Sequence, residues 1–157
     1  MSAYYFDSSA LVKRYIQQTG TAWVRSLRSL SRGGTSDPIY LARITAVEVC
    51  SAVARRARAG GLPPARAAGA LARFRKHLMG RYRVVEMTPG LVDSAMRLAE
   101  VHGLRAYDAV QLAAALEVNG SWAPTGFGGI TLISADQDLN AAATAEGLVV
   151  DDPSLHP

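Results

Sequence analysis

The stretch Ala3-Tyr4-Tyr5-Phe6-Asp7-Ser8-Ser9 decides the fold class. The apolar and aromatic run from Ala3 to Phe6 predicts a short strand, and the next three residues each favour the start of a helix. The same order of strand and then helix recurs three times, over residues 39–57, 82–102 and 130–146. Because parallel neighbours need crossover connections, this alternation predicts an α/β protein with a mostly parallel central sheet of about five strands, flanked by helices.

The later strands and helices follow from local patterns of the same kind. Thr88 followed by Pro89 predicts a helix start, and Gly103 predicts its end. In this helix we expect an inward face of four residues, Val92, Ala95, Met96 and Ala99. Between a helix ending at about Val118 and the next strand, a loop is predicted over Gly120 to Gly129. The remaining strands are predicted over Ile39 to Ile44, Tyr82 to Met87, Ile130 to Ile133 and Leu148 to Val150.

Length and composition limit the classes of protein to consider. The chain has 157 residues, of which 49% are hydrophobic and 19% charged. This size predicts one domain spanning residues 1–157. No apolar stretch is long enough to span a membrane, and the N-terminus lacks the pattern of a secretory signal. We therefore expect a protein of the cytoplasm that does not act at a membrane.

The basic residues are concentrated in one part of the chain. Residues 25–83 contain 13 of the 17 Lys and Arg side chains and only two acids. Two helices predicted after residue 44 form a basic hairpin, whose second helix carries Arg73, Arg75 and Lys76. Such a surface can bind a polyanion such as RNA through its phosphates, although a solvated arginine-rich surface has the same composition. The apolar stripes of the hairpin, over residues 46–57 and 71–78, are expected to leave surface for a partner helix.

Four acids stand at helix starts: Asp7, Glu48, Asp108 and Asp136. Each has a second, purely structural interpretation, because acids are common at helix N-termini. Asp7 and Asp136 fit an N-cap, and Thr45 with Glu48 has the spacing of a capping box. In a parallel sheet, the functional residues usually lie at the carboxyl ends of the strands. We therefore expect the four carboxylates to converge there.

Converging carboxylates repel one another, and a divalent cation relieves that repulsion. Ligands that are all oxygen favour Mg²⁺ or Mn²⁺. Zinc is disfavoured because the three histidines are scattered and the single cysteine, Cys50, lies among apolar residues.

The sequence around these acids resembles the PIN-domain nucleases. The resemblance lies in four segments in order: Asp7-Ser8-Ser9-Ala10-Leu11-Val12-Lys13, Ile44-Thr45-Ala46-Val47-Glu48-Val49, Gly103-Leu104-Arg105-Ala106-Tyr107-Asp108-Ala109-Val110-Gln111-Leu112-Ala113, and Ser134-Ala135-Asp136. The likeness is greatest to the VapC-type toxins. It implies a three-layer PIN-like fold and a Mg²⁺- or Mn²⁺-dependent endoribonuclease, often a homodimer, that a cognate antitoxin neutralises.

The resemblance also implies a role for particular residues. Asp7, Glu48, Asp108 and Asp136 match the catalytic, metal-binding acids. Four further residues match positions that support them, Ser9, Thr45, Arg105 and Ser134. Asp138 is a second candidate for the fourth ligand. Three alternatives remain open: a PIN-like module that binds RNA or protein without cleaving, a phosphoacceptor domain, and a nuclease directed at DNA.

Overall fold

The five predicted strands form one parallel sheet. The computed structural model describes residues 2–27 and 37–157. Its strand order is β3-β2-β1-β4-β5, and every pair is parallel. The strands are β1 (Tyr4–Phe6), β2 (Ile39–Ala42), β3 (Tyr82–Val85), β4 (Thr131–Ile133) and β5 (Val149–Asp151). The prediction of a mostly parallel sheet of about five strands is confirmed.

Helices connect the strands as the crossover rule requires. They are α1 (Ser8–Leu11), α2 (Thr21–Ser26), α3 (Arg43–Arg58), α4 (Pro64–Gly80), α5 (Pro89–His102), α6 (Ala106–Trp122) and α7 (Gln137–Ala145). The predicted caps of α5 are present: the Thr88 side chain accepts a hydrogen bond from the Leu91 N–H, and Gly103 ends the helix with a φ of 64°. No helix in residues 2–27 and 37–157 is long and apolar enough to cross a membrane.

The sheet separates two apolar cores, because successive strand residues point to opposite faces. Tyr5 belongs to one core, where α5, α6 and α7 pack. Phe6 belongs to the other, which is formed mainly with α1, α3 and α4. The molecule therefore has three layers, and the carboxyl ends of the strands open at one edge between the two helical layers.

The inward face of α5 differs from the predicted one. Leu91, Ala95 and Leu98 are the buried residues, whereas Met96 is 59% exposed and Val92 37% exposed. Both faces have helical spacing and apolar residues, so the sequence pattern alone cannot choose between them. Packing against α6 selects the face that carries the two leucines.

The predicted loop over Gly120 to Gly129 begins later than expected. Helix α6 continues to Trp122, and a short 3₁₀ helix covers Ala123–Thr125. The Trp122 indole N–H donates to the Tyr40 hydroxyl over 3.1 Å. This contact fixes Trp122 against the protein.

Candidate active site

The four acids predicted from the sequence line one cavity at the carboxyl edge of the sheet. The cavity has a volume of about 430 Å³. Asp7 follows β1, Glu48 lies in α3, Asp108 in the first turn of α6, and Asp136 follows β4. Ser8, Ser9, Arg105 and Tyr107 also contribute to its wall. The predicted convergence of the carboxylates is therefore present.

Asp7 is the most buried of these acids, with 3% of its surface exposed. Its Oδ1 accepts the Ala10 N–H over 3.0 Å, so it does cap α1. Ser9 Oγ also donates to it, over 2.7 Å, and Ser134 Oγ donates to Oδ2 over 3.0 Å. Burial raises the pKa of Asp7 from 3.8 to about 7, against the effect of these hydrogen bonds. Capping alone would not place a carboxylate in such an environment.

Ser9 and Ser134 also join two loops of the site. Ser9 Oγ accepts the Ala135 N–H over 2.9 Å, and Ser134 Oγ accepts the Asp136 N–H over 3.0 Å. The turn after β1 is thereby bonded to the turn after β4. The hydroxyls of Ser9 and Ser134 therefore bond both the Asp7 carboxylate and the backbone of the turn after β4.

Glu48 is held by two hydrogen bonds. Gln111 Nε2 donates to its Oε1 over 2.7 Å, and Ser8 Oγ donates to its Oε2 over 3.1 Å. Partial burial raises the pKa of Glu48, and the negative charge of Asp108 contributes to the same effect. The carboxylate is thus fixed where its ionised form is disfavoured.

The capping-box interpretation of Thr45 and Glu48 is wrong. Helix α3 begins at Arg43, its N-cap is Ala42, and no side chain caps it. Thr45 is therefore already inside the helix. Its buried hydroxyl accepts the second N–H of the Gln111 amide, over 2.8 Å.

Arg105 connects the remaining two acids. Its guanidinium donates to Asp108 Oδ2 over 3.0 Å and to Asp136 Oδ2 over 2.9 Å, while its own side chain is 77% exposed. Burial is the main cause of a raised pKa at Asp108, and the charge of Asp136 adds to it. Arg105 offsets that effect, so its role here is that of a counter-charge between two carboxylates.

Asp136 and Asp138 are separated by the start of α7. Asp136 caps the helix by accepting the Leu139 N–H over 3.0 Å, and its other oxygen reaches Arg105. Asp138 is exposed and lines a neighbouring cavity of about 390 Å³, which also touches Arg105 and Asp108, but it does not line the cavity of the four acids. This placement favours Asp136 over Asp138 as the fourth acid of the site.

The donor set suits Mg²⁺ or Mn²⁺ by its chemistry. The four carboxylates supply only oxygen atoms. Burial raises the pKa values of Asp7, Glu48 and Asp108 and so disfavours their ionised forms, which a bound cation would stabilise. Over the described ranges, however, no three Asp, Glu, His or Cys residues are grouped closely enough to hold one ion. Arg105 supplies the positive charge between Asp108 and Asp136 in this arrangement.

Gln111 and Tyr5 belong to the site but were not predicted. Gln111 is 1% exposed, and its Oε1 accepts the hydroxyl proton of the fully buried Tyr5 over 2.7 Å. The available signal was a single amide within the apolar run of α6. A lone glutamine at a buried helical position requires partners, and these lie on β1 and α3, far away in sequence.

The basic residues predicted to bind RNA do not line the acidic cavity. Arg73, Arg75 and Lys76 are exposed on α4. Arg73 lines a separate cavity of about 330 Å³ together with Arg25 and Arg66. Arg25 and Arg73 each donate to a backbone carbonyl, of Arg14 and Tyr15 respectively, and no carboxylate in the described part of the chain pairs with them. Two of the basic residues counted above, Arg28 and Arg32, lie outside the described residues.

Comparisons with known proteins agree with this fold. The PIN domain family model matches residues 4–145. Ribonuclease VapC45 of Mycobacterium tuberculosis is 34% identical over 157 residues, which covers the whole of both chains.

Solved structures show the same fold. VapC20 of Mycobacterium tuberculosis, described as a sarcin-ricin loop cleaving toxin, superposes with a TM-score of 0.62 at 20% identity over 99% of this chain and 100% of that one. A chain of a toxin-antitoxin complex from Klebsiella pneumoniae superposes with a TM-score of 0.61 at 17% identity, over 97% and 98% of the two chains. This chain therefore belongs to the PIN-domain family, among its VapC-type ribonucleases.

Proposed function

We propose that this protein is a divalent-metal-dependent endoribonuclease and the toxin of a toxin-antitoxin pair. The observation that carries the proposal is the convergence of Asp7, Glu48, Asp108 and Asp136 on one cavity. The full-length likeness to a protein named a ribonuclease supports the activity. Acting on RNA, the enzyme would work in the cytoplasm.

The residues of the cavity are proposed to have three different roles in the reaction: holding the cation, positioning the acids and binding a phosphate. Asp7, Glu48, Asp108 and Asp136 are proposed to hold Mg²⁺ or Mn²⁺. When bound, such a cation activates water and neutralises charge on the phosphate. Ser9 and Ser134 keep Asp7 in place, and Thr45 helps to hold the amide that binds Glu48. Arg105, at the exposed mouth of the cavity, can exchange its carboxylate partners for a phosphate of the RNA strand.

The RNA strand requires contacts beyond the cavity. Arg73, Arg75 and Lys76 on α4 are proposed to bind its phosphates, which carry little sequence information. The cavity that Arg73 shares with Arg25 and Arg66 extends this surface. Arg25 and Arg73 donate to backbone carbonyls, which do not compensate their positive charge.

A cognate antitoxin and a second copy of the chain are the proposed protein partners. The apolar stripes over 46–57 and 71–78 are not the antitoxin surface, because they pack into the core below α3 and α4. A groove of about 340 Å³ beside Glu48 is a better surface for the antitoxin, because the apolar side chains of Val47 and Tyr107 are exposed there. For the homodimer, the exposed Val92 and Met96 on α5 offer an apolar face.

The test is cleavage of a single-stranded RNA by purified protein freed of any partner. We expect cleavage with Mg²⁺ or Mn²⁺ and none in excess EDTA, and a matched Asp108→Asn variant should be inactive. A DNA strand of the same sequence separates the ribonuclease from a DNA-directed nuclease. Undiminished cleavage in EDTA would falsify the metal mechanism, and binding of RNA without turnover would favour the non-catalytic module.

A further inference from the structure

The side-chain amide of Gln111 has a partner on each side. Its two N–H groups donate to Thr45 Oγ1 and to Glu48 Oε1, over 2.8 and 2.7 Å, and its oxygen accepts from the Tyr5 hydroxyl. The three partners lie on β1 and α3, whereas Gln111 lies on α6. With 1% of its surface exposed, Gln111 is shielded from solvent and from any strand of RNA in the cavity.

Only one orientation of this amide fits its surroundings. The oxygen and nitrogen ends are nearly equal in size, so packing does not distinguish them. An ionised Glu48 can only accept, and therefore requires the nitrogen end. The hydroxyl of the fully buried Tyr5 lies 2.7 Å from the oxygen end and donates to it. Glu48 thus selects the orientation of the amide, and Tyr5 satisfies the oxygen end from the opposite side.

We propose that Gln111 is a positioning residue for the Glu48 carboxylate, and that the Tyr5 hydroxyl holds the oxygen end of its amide. This inference rests on the proposed nuclease function. Tyr5 lies on β1, the central strand, which pairs with β2 and β4. The hydrogen bonds from Tyr5 to Gln111 and from Gln111 to Glu48, called the relay below, therefore connect one carboxylate of the cavity to the middle of the sheet. The relay acts on the reaction only through Glu48.

A positioning role predicts a specific kinetic pattern. Methionine in Gln111→Met has a similar length and volume but cannot donate a hydrogen bond. The Glu48 Oε1 atom therefore loses the hydrogen bond that fixes its position. We expect kcat to fall by about 10- to 100-fold, the range observed for outer partners of metal ligands, with little change in KM for RNA. Mn²⁺ affinity measured by calorimetry should weaken by a similar factor. Tyr5→Phe, which removes one oxygen atom, should cause a smaller loss in the same direction.

Two matched variants control for damage to the core. Leu112→Met changes the buried neighbour of Gln111 on α6, and Tyr40→Phe removes a tyrosine hydroxyl that bonds Trp122 and Arg83 away from the cavity. Both should cleave RNA and bind Mn²⁺ like the wild type. If circular dichroism shows that Gln111→Met does not fold, Tyr5→Phe against Tyr40→Phe decides the question.

A double-mutant cycle tests whether the relay acts through Glu48. In a Glu48→Ala background, Gln111→Met should weaken Mn²⁺ binding no further. An equal loss of Mn²⁺ affinity in both backgrounds, or wild-type kcat and Mn²⁺ binding in both Gln111→Met and Tyr5→Phe, would overturn the inference. A wild type that binds Mn²⁺ but never cleaves RNA would instead remove the proposed function, while the Mn²⁺ affinities would still report on the relay.

Discussion

Asp7 has two roles that sequence reasoning treats as alternatives. It caps α1 through the Ala10 N–H, and it also lies in the cavity with two serine hydroxyls on its carboxylate. The cap requires only an oxygen acceptor, which Asn supplies about as well as Asp. The cavity adds a buried negative charge. The two roles can therefore be separated by removing the charge and keeping the acceptor.

We predict that Asp7→Asn stabilises the metal-free protein at neutral and alkaline pH. Burial raises the pKa of Asp7 from 3.8 in the unfolded chain to about 7 in the folded one. The stability linked to this group is therefore fully present below about pH 4 and is lost as the pH rises through about 7. In EDTA, the gain in Tm of the variant over the wild type should increase from pH 5 to pH 8. The raised pKa values of Glu48 and Asp108 remain in the variant, so its Tm should still fall as the pH rises, but less than that of the wild type.

The same variant should lose most of its response to magnesium. For a dissociation constant of about 1 mM, about 10 mM Mg²⁺ stabilises the folded wild type by roughly 1.4 kcal/mol, which is a few degrees in Tm for a domain of this size. Asp152→Asn is the matched control, because Asp152 caps a 3₁₀ helix through the Ser154 N–H outside the cavity. Thermal melts in which both variants respond to pH and Mg²⁺ like the wild type would leave Asp7 as a cap only.

At the scale of the elements, the predictable features were those that depend on local sequence. The start of α5 at Thr88 and its end at Gly103 follow from the chemistry of helix caps, and the alternation of strands and helices fixed the class of sheet. The buried face of α5 was mispredicted because two adjacent faces are apolar. Gln111 was missed because its partners Tyr5 and Thr45 are 106 and 66 residues away. Position in the chain predicted the four acids, whereas contacts between layers were needed to identify what holds them.

Helix α4 gives a prediction about RNA binding. Reversing the charges of Arg73, Arg75 and Lys76 to Glu should weaken binding to single-stranded RNA and flatten its dependence on salt. Each phosphate contact contributes about 0.7 to the slope of log K against log salt, so losing three contacts should reduce the slope by about 2. Binding is measured in EDTA to prevent cleavage. Arg97→Glu on α5 serves as the control for net charge, and an unchanged slope in the triple variant would remove α4 from the RNA surface.

At the scale of the whole molecule, we predict that two copies of this chain form a complex with the antitoxin. If a small reading frame adjoins this gene, its co-expression with this chain should give a stable complex, and light scattering should give the mass of that complex. Met96→Glu, which charges the exposed face of α5, should halve the number of toxin copies but retain the antitoxin. Val47→Glu, in the groove beside Glu48, should instead release the antitoxin. Purification of this chain alone from its native operon, at normal growth, would contradict the partnership.

The bond between Ser134 and Asp7 spans 127 residues of sequence. A ribosome synthesises Asp7 well before Ser134, whose hydroxyl holds it, and before Asp136. Strand β1, which immediately precedes Asp7, also pairs with β4, and β4 is synthesised much later than β1. Because long-range pairing of this kind completes late in folding, a nascent chain that ends before Ser134 has no finished cavity. We therefore expect a fragment truncated before Ser134 to lack the hydroxyl that holds Asp7, and with it the arrangement on which the proposed activity depends.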